Sequence, residues 1–133
     1  MNGKWLFRGQ VRYGKGWLYG SLLECGGRCE IFVDAGEGLM ARFKAKPETV
    51  GLYSGLDDKD GNRCFADDIV LYSGKRYAVR YTEGAFFIEP PKGDGFMPRL
   101  LRDIGYEELS VIGNVHDSPE LLRETPQAGI LES

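Results

Sequence analysis

The apolar runs of this sequence are short, and most of them end at a glycine. Trp17–Leu23 stops at Gly26-Gly27, Cys29–Val33 at Gly36-Glu37-Gly38, Asp68–Tyr72 at Ser73-Gly74, and Tyr77–Thr82 at Glu83-Gly84. Runs of four to eight residues closed by Gly-bearing turns build strands and hairpins, because glycine supplies the positive φ that a two-residue turn requires. No apolar run approaches the roughly 20 residues that a membrane-spanning helix needs. A chain with this punctuation is expected to be mainly β.

The pattern is clearest in the middle of the chain. Asp68–Tyr72, Lys75–Thr82 and Ala85–Glu89 read as three strands joined by two tight turns. Within the second, Tyr77, Val79 and Tyr81 fall on one face and Arg76, Ala78, Arg80 and Thr82 on the other. Such a meander curls into a small SH3-like barrel, expected over residues 62–115. Strands at Trp5–Arg8, Trp17–Leu23, Cys29–Val33 and Leu39–Phe43 are additional N-terminal strands that pack on it or complete it. Pro47–Leu56 is expected to be extended, and Asp57–Asn62 to be a turn. Pro98–Ile104 reads as a short helix and Leu109–Val115 as the last strand. Ser118-Pro119-Glu120 has the order of a helix cap, first helical position and dipole-matched acid, so a short C-terminal helix follows. One domain over residues 1–125 with a frayed tail at 126–133 is the expected organisation.

Composition enters through charge and chemistry. The net charge of −3 argues against indiscriminate nucleic-acid binding, but it is unevenly spread. Residues 1–46 carry eight Lys/Arg against four Asp/Glu, whereas residues 103–133 carry one against seven. Alternating sign along the chain suits a homo-oligomer pairing basic with acidic faces, and equally a monomer that brings its own patches together. Three cysteines, an odd number, argue against a secreted disulfide framework. With no apolar segment of signal-peptide or membrane length, cytoplasmic residence is expected.

The residues for common catalysis are missing. His116 is the sole histidine and is expected in the turn after the last strand. Cys25, Cys29 and Cys64 with His116 have the inventory of a Cys3His zinc site, and the Cys25/Cys29 spacing could set two thiolates side by side. Paired Cys-x2-Cys units are absent, however, and structural cysteines are favoured. Asp58-Lys59-Asp60-Gly61 fails the calcium-loop register, because Leu56 occupies the position of the first acidic ligand. Adjacent Asp67-Asp68 and Glu107-Glu108 point to opposite sides of an extended chain. There is no phosphate-binding glycine loop. No enzyme activity, cofactor or metal is expected. Basic residues do interleave with aromatics, so Arg8, Arg12, Lys75, Arg76 and Arg80 are the candidate nucleic-acid or partner-binding residues, since small β-barrels stack bases and track phosphates with such surfaces.

Several stretches together resemble one family. They are Phe7-Arg8-Gly9 with Gly16–Leu22, Pro47–Gly51, Ser54–Gly61, Asp68-Ile69-Val70, and Val111–Val115 with Ser118–Leu122. In this order and spacing the chain is similar to the YopX family of small phage and prophage proteins, over about Trp5 to Leu122. The resemblance implies a phage or prophage setting in a bacterial cytoplasm, and not a reaction. The family usually carries Glu-Gly-Asp-Ile-Val where this chain has Ala66-Asp67-Asp68-Ile69-Val70. If that glycine serves a positive-φ turn, Asp67 is among the better substitutes; if it serves close approach of a ligand or partner backbone, Asp67 does not replace it. The expected function is a non-enzymatic accessory protein that binds a host or phage macromolecule, possible targets being host defence or replication machinery. A nucleic-acid-binding module and a self-assembling structural protein are the alternatives.

Overall fold

The structure is a computed structural model and describes residues 5–91, 97–104 and 108–123. The loop at 92–96, the Glu107 of the adjacent glutamate pair and the tail expected at 126–133 lie outside the described residues. The chain divides into two compact units, Met1–Tyr53 and Ser54–Ser133.

The first unit holds β1 (Phe7–Gln10), β2 (Trp17–Cys25), β3 (Arg28–Gly36), β4 (Leu39–Ala45), a 3₁₀ turn at Pro47–Thr49 and the start of β5 (Gly51–Asp57). All pairings are antiparallel, in the order β4-β3-β2-β1-β5. The Gly26-Gly27 turn has φ of 58° and 83°, joining Cys25 directly to its partner Arg28. Two consecutive positive φ values match the right-handed twist of the flanking strands. Glu37-Gly38, Ser73-Gly74 and Glu83-Gly84 repeat this geometry with a non-glycine first residue.

β2 changes partner along its length. Trp17–Gly20 pairs with β1, and Ser21–Cys25 pairs with β3. At the handover a Cβ on Gly20 would lie 1.8 Å from the Phe32 carbonyl oxygen, so only glycine fits. The bend brings the sheet round on itself. Val11 bridges Ala45, the Arg12 amide donates to the Lys44 carbonyl (2.9 Å), and the Lys46 amide to that of Gln10 (2.9 Å). Thr49 pins the 3₁₀ turn to β1, its hydroxyl accepting from the Gln10 amide and donating to the Lys46 carbonyl. The interior is Cys29, Ile31 and Ala45, packed by Phe7, Leu18, Leu22, Val33 and Val50.

In the second unit the remainder of β5 pairs with β6 (Arg63–Phe65). A separate antiparallel sheet follows, built from β7 (Asp68–Tyr72), β8 (Lys75–Thr82), β9 (Ala85–Glu89), β10 (Arg99–Leu100) and β11 (Ser110–Asn114) in the order β10-β9-β8-β7-β11. The chain ends its described part in α1 (Glu120–Arg123). One sheet face buries Val70, Val79 and Ile88 against Cys64, Leu101, Ile104 and Leu109. On the opposite face Ile69 lies across from Ala78, both are buried, and α1 packs against β8. Gly113 makes room for that helix, since a Cβ there would sit 2.9 Å from Leu121 Cδ1.

The mainly-β class and the β7–β8–β9 meander agree with the sequence. The SH3-like barrel over 62–115 does not: the described strands form open sheets, and β10 and β11 end the second one without pairing to each other. Caps on both faces bury this sheet, so closure is not needed to remove its apolar surface. The strongest curl lies instead in the first unit, where Gly20 permits it. Pro98–Ile104 is not a helix, because Arg99 and Leu100 pair with Ile88 and Phe87 before a 3₁₀ turn at Leu101–Asp103. Pro47–Thr49 is a 3₁₀ turn, not extended chain.

Candidate binding surface

Alternation along β2, β3 and β4 divides the first unit's side chains between an inner and an outer face. Leu18, Leu22, Ile31 and Ala45 point inward, and Tyr19, Leu23, Phe32, Met40 and Arg42 outward. Tyr19 is 44% exposed and Leu23 48%, so the outer face shows solvent an aromatic and an aliphatic side chain two pleats apart. Arg8 lies under the β1 end of this face. It is buried to 6% exposure, with its guanidinium carbon 4.6 Å from the Trp17 ring centre. A cation at that distance is held by the ring quadrupole and fixes the indole in place.

The five nominated basic residues divide between the units, Arg8 and Arg12 in the first and Lys75, Arg76 and Arg80 in the second. Arg8 is enclosed beneath Trp17. Arg12 remains exposed, over the equally exposed Tyr13 ring at 5.3 Å. On β8, Lys75 falls on the opposite face from Arg76 and Arg80. Arg76 donates to the Leu121 carbonyl at 3.2 Å, holding α1 on the sheet. Arg80 is clamped between Asp67 (2.7 Å) and Glu89 (3.1 Å). Arg76 and Arg80 therefore serve the fold, which the alternation of β8 could not reveal because their partners are distant in sequence.

Asp67 sits at φ 72° in the turn between β6 and β7. Its amide donates to the Val79 carbonyl, its carbonyl accepts from the Val115 amide, and its carboxylate meets Arg80 and, at 3.4 Å, His116 Nε2. His116 occupies the expected turn after β11. There the Asn114 side chain accepts from the His116 and Asp117 amides and donates to the Asp117 carboxylate. The neighbouring Asp68 is 2% exposed and accepts from the Phe65 amide at 2.7 Å.

Asp58 organises the other acidic loop. Its carboxylate accepts from the Asp60, Asn62 and Val111 amides, each at 2.8 Å, and from the Asn62 side chain. Burial pushes this carboxyl up, but the hydrogen bonds from Val111, Asn62 and Asp60 outweigh it and hold its pKa below the ordinary carboxylate value. The loop is a hairpin turn between β5 and β6 that is tied to β11.

The thiols do not converge. Cys25 pairs with Arg28 and Cys29 with Glu24, so the two cysteines occupy adjacent pleats and opposite faces, Cys25 exposed and Cys29 buried. Burial, with Glu24 adding to it, raises the Cys29 thiol pKa. Cys64 is fully buried in the second core. Among the described residues no cluster of three or more His, Cys, Asp or Glu side chains is arranged to hold a metal ion. A half-open cleft of about 300 Å³ lies in the second unit between Leu56, Phe86 and Leu100–Arg102, and Arg102 is the ionisable side chain in its lining. No described helix is long and apolar enough to cross a membrane.

A family model described as YopX protein matches residues 7–123. The chain belongs to the YopX family. This YopX chain also resembles a solved structure, described as the crystal structure of protein EF1440 from Enterococcus faecalis. The TM-score is 0.58 at 21% identity, covering 90% of this chain and 98% of that one. At that identity the likeness concerns the fold. No curated protein matches the YopX chain. Asp67 sits in a left-handed turn, a conformation that aspartate tolerates better than most residues.

Proposed function

We propose that this YopX protein is a non-enzymatic accessory protein of phage or prophage origin that binds a host or phage protein in the bacterial cytoplasm. The observation that carries the reading is the outer face of the first unit, where Tyr19 and Leu23 stand exposed on a sheet stiffened by the Arg8–Trp17 stack. Rigid aromatic and aliphatic side chains on a fixed backbone are the usual anchors of a protein interface, because they bury large area at small entropic cost. The ionisable groups that catalysis would need are committed elsewhere: Asp58 and Asp68 hold turns, and Asp67 holds Arg80. Inhibition of host defence or replication machinery is a function class that needs only such binding.

The test is affinity capture of the tagged protein from host lysate, with and without nuclease, beside a Tyr19→Ser/Leu23→Glu variant. One dominant, nuclease-resistant protein that the variant loses supports the reading. Recovery that the variant leaves unchanged overturns it.

A second reading, single-stranded nucleic-acid binding, is favoured by one observation. Arg12, Tyr13 and Lys15 remain exposed together in the β1–β2 turn, and a cation beside an aromatic ring suits a base and its phosphate. Retention on DNA or RNA that weakens with salt and disappears in Arg12→Ala/Lys15→Ala would establish it. Retention indifferent to those two residues would exclude that turn as the site.

A further inference from the structure

β4 ends its sheet, and the direction of its backbone groups can be read from its neighbours. The Lys44 carbonyl accepts from Arg12 and the Lys46 amide donates to Gln10, so these groups point away from β3. In an antiparallel ladder that direction alternates with every residue. Arg42 and Met40 therefore present both N–H and C=O outward, and the β1 end covers only the Ala45 end of the strand. Over Leu39–Phe43 the edge has no partner strand among the described residues. The same strand carries Leu39, Met40 and Phe43, exposed to 63%, 57% and 45%. Natural sheets blunt such an edge or use it.

We infer that β4 is the contact by which two copies of this chain pair, antiparallel about a two-fold axis at Ala41. Only outward-facing residues can exchange hydrogen bonds, so Met40 of one copy must meet Met40 or Arg42 of the other. Centring on Arg42 sets two guanidinium groups face to face and runs into Lys44, whose carbonyl is already taken. Centring on Met40 strands Phe43 opposite Glu37. Centring on Ala41 pairs Met40 with Arg42 on one face. On the other it pairs Leu39 with Phe43 and Ala41 with Ala41. Each Arg42 then lies along an aliphatic thioether and keeps Glu30 at 3.8 Å as its counter-ion. The axis repeats each pair, giving about four backbone hydrogen bonds between the copies and two buried Leu–Phe contacts.

Met40 and Arg42 share the outer face with Tyr19 and Leu23, but the contact is made at the β4 edge and uses neither of those two side chains, so it stands or falls apart from the proposed function. The experiment is sedimentation equilibrium of the wild type and three variants, with circular dichroism to check that each is folded. A wild-type dimer at micromolar concentration is expected. Met40→Glu places a carboxylate opposite Arg42 and tightens the dimer about fivefold, whereas Met40→Lys weakens it about fivefold. Arg42→Pro removes an outward N–H without touching the β3 pairing and abolishes the dimer. In a Cys25→Ser background, Ala41→Cys cross-links two chains under mild oxidation, because Cα atoms directly opposite in a non-hydrogen-bonded pair are within disulfide range. A wild type that stays monomeric to hundreds of micromolar overturns the inference. So does a dimer whose affinity moves the same way in both Met40 variants and which Ala41→Cys fails to cross-link.

Discussion

The Asp67 carboxylate meets the Arg80 guanidinium at 2.7 Å from a backbone that sits at φ 72°. One side chain thus tolerates the turn between β6 and β7 and also ties that turn to β8. Alanine there loses both functions, and glycine loses only the ion pair. Asp67→Ala is expected to destabilise the protein by about 1–3 kcal/mol, from the left-handed conformation and the lost hydrogen bond. Asp67→Gly is expected to cost less. Urea denaturation of the two variants checks the order.

Asp58 accepts four hydrogen bonds, three from Asp60 and Asn62 within the β5–β6 turn and one from the Val111 amide that ties the turn to β11. Asp58→Ala removes the acceptor of the Asp60, Asn62 and Val111 amides and is expected to cost about 1–3 kcal/mol. Because the folded-state pKa of Asp58 is depressed, its contribution is fully present above the unfolded carboxylate value and is lost as pH falls through the folded one. The wild type should therefore lose stability on acidification more steeply than Asp58→Asn. Thermal melts at a series of pH values below neutrality measure the difference.

At Gly20 the obstacle is space, and at Gly27 it is conformation. A Cβ on Gly20 would meet the Phe32 carbonyl at 1.8 Å, whereas at Gly27 nothing lies within reach and only φ 83° opposes it. Gly27→Ala is expected to cost about 1–2 kcal/mol. Gly20→Ala must displace backbone and is expected to cost about 3 kcal/mol or more. Denaturant midpoints of the two variants, read against the wild type, give the comparison.

The three thiols should separate kinetically. Cys25 is exposed, while Cys29 and Cys64 are buried and the Cys29 thiol is raised. One equivalent of a thiol-reactive chromophore is expected to react rapidly with the native protein, and two more only on unfolding. Loss of the fast phase in Cys25→Ser assigns it.

The sequence by itself determined the class of structure and the hairpin turns. Its X-Gly punctuation sets local φ, and the alternation from Tyr77 to Tyr81 sets the faces of β8, both properties of neighbouring residues. At position 67 it offered a positive-φ turn as one of two readings, and the backbone at φ 72° chose between them. What it could not reach depends on partners far along the chain. Arg76 and Arg80 looked free because the Leu121 carbonyl and Asp67 lie 45 and 13 residues away. Arg99-Leu100 looked helical until β9 supplied its backbone partners. Tertiary structure decided which basic residues remain available and where a sheet edge stays open, because burial and pairing depend on the whole chain's path.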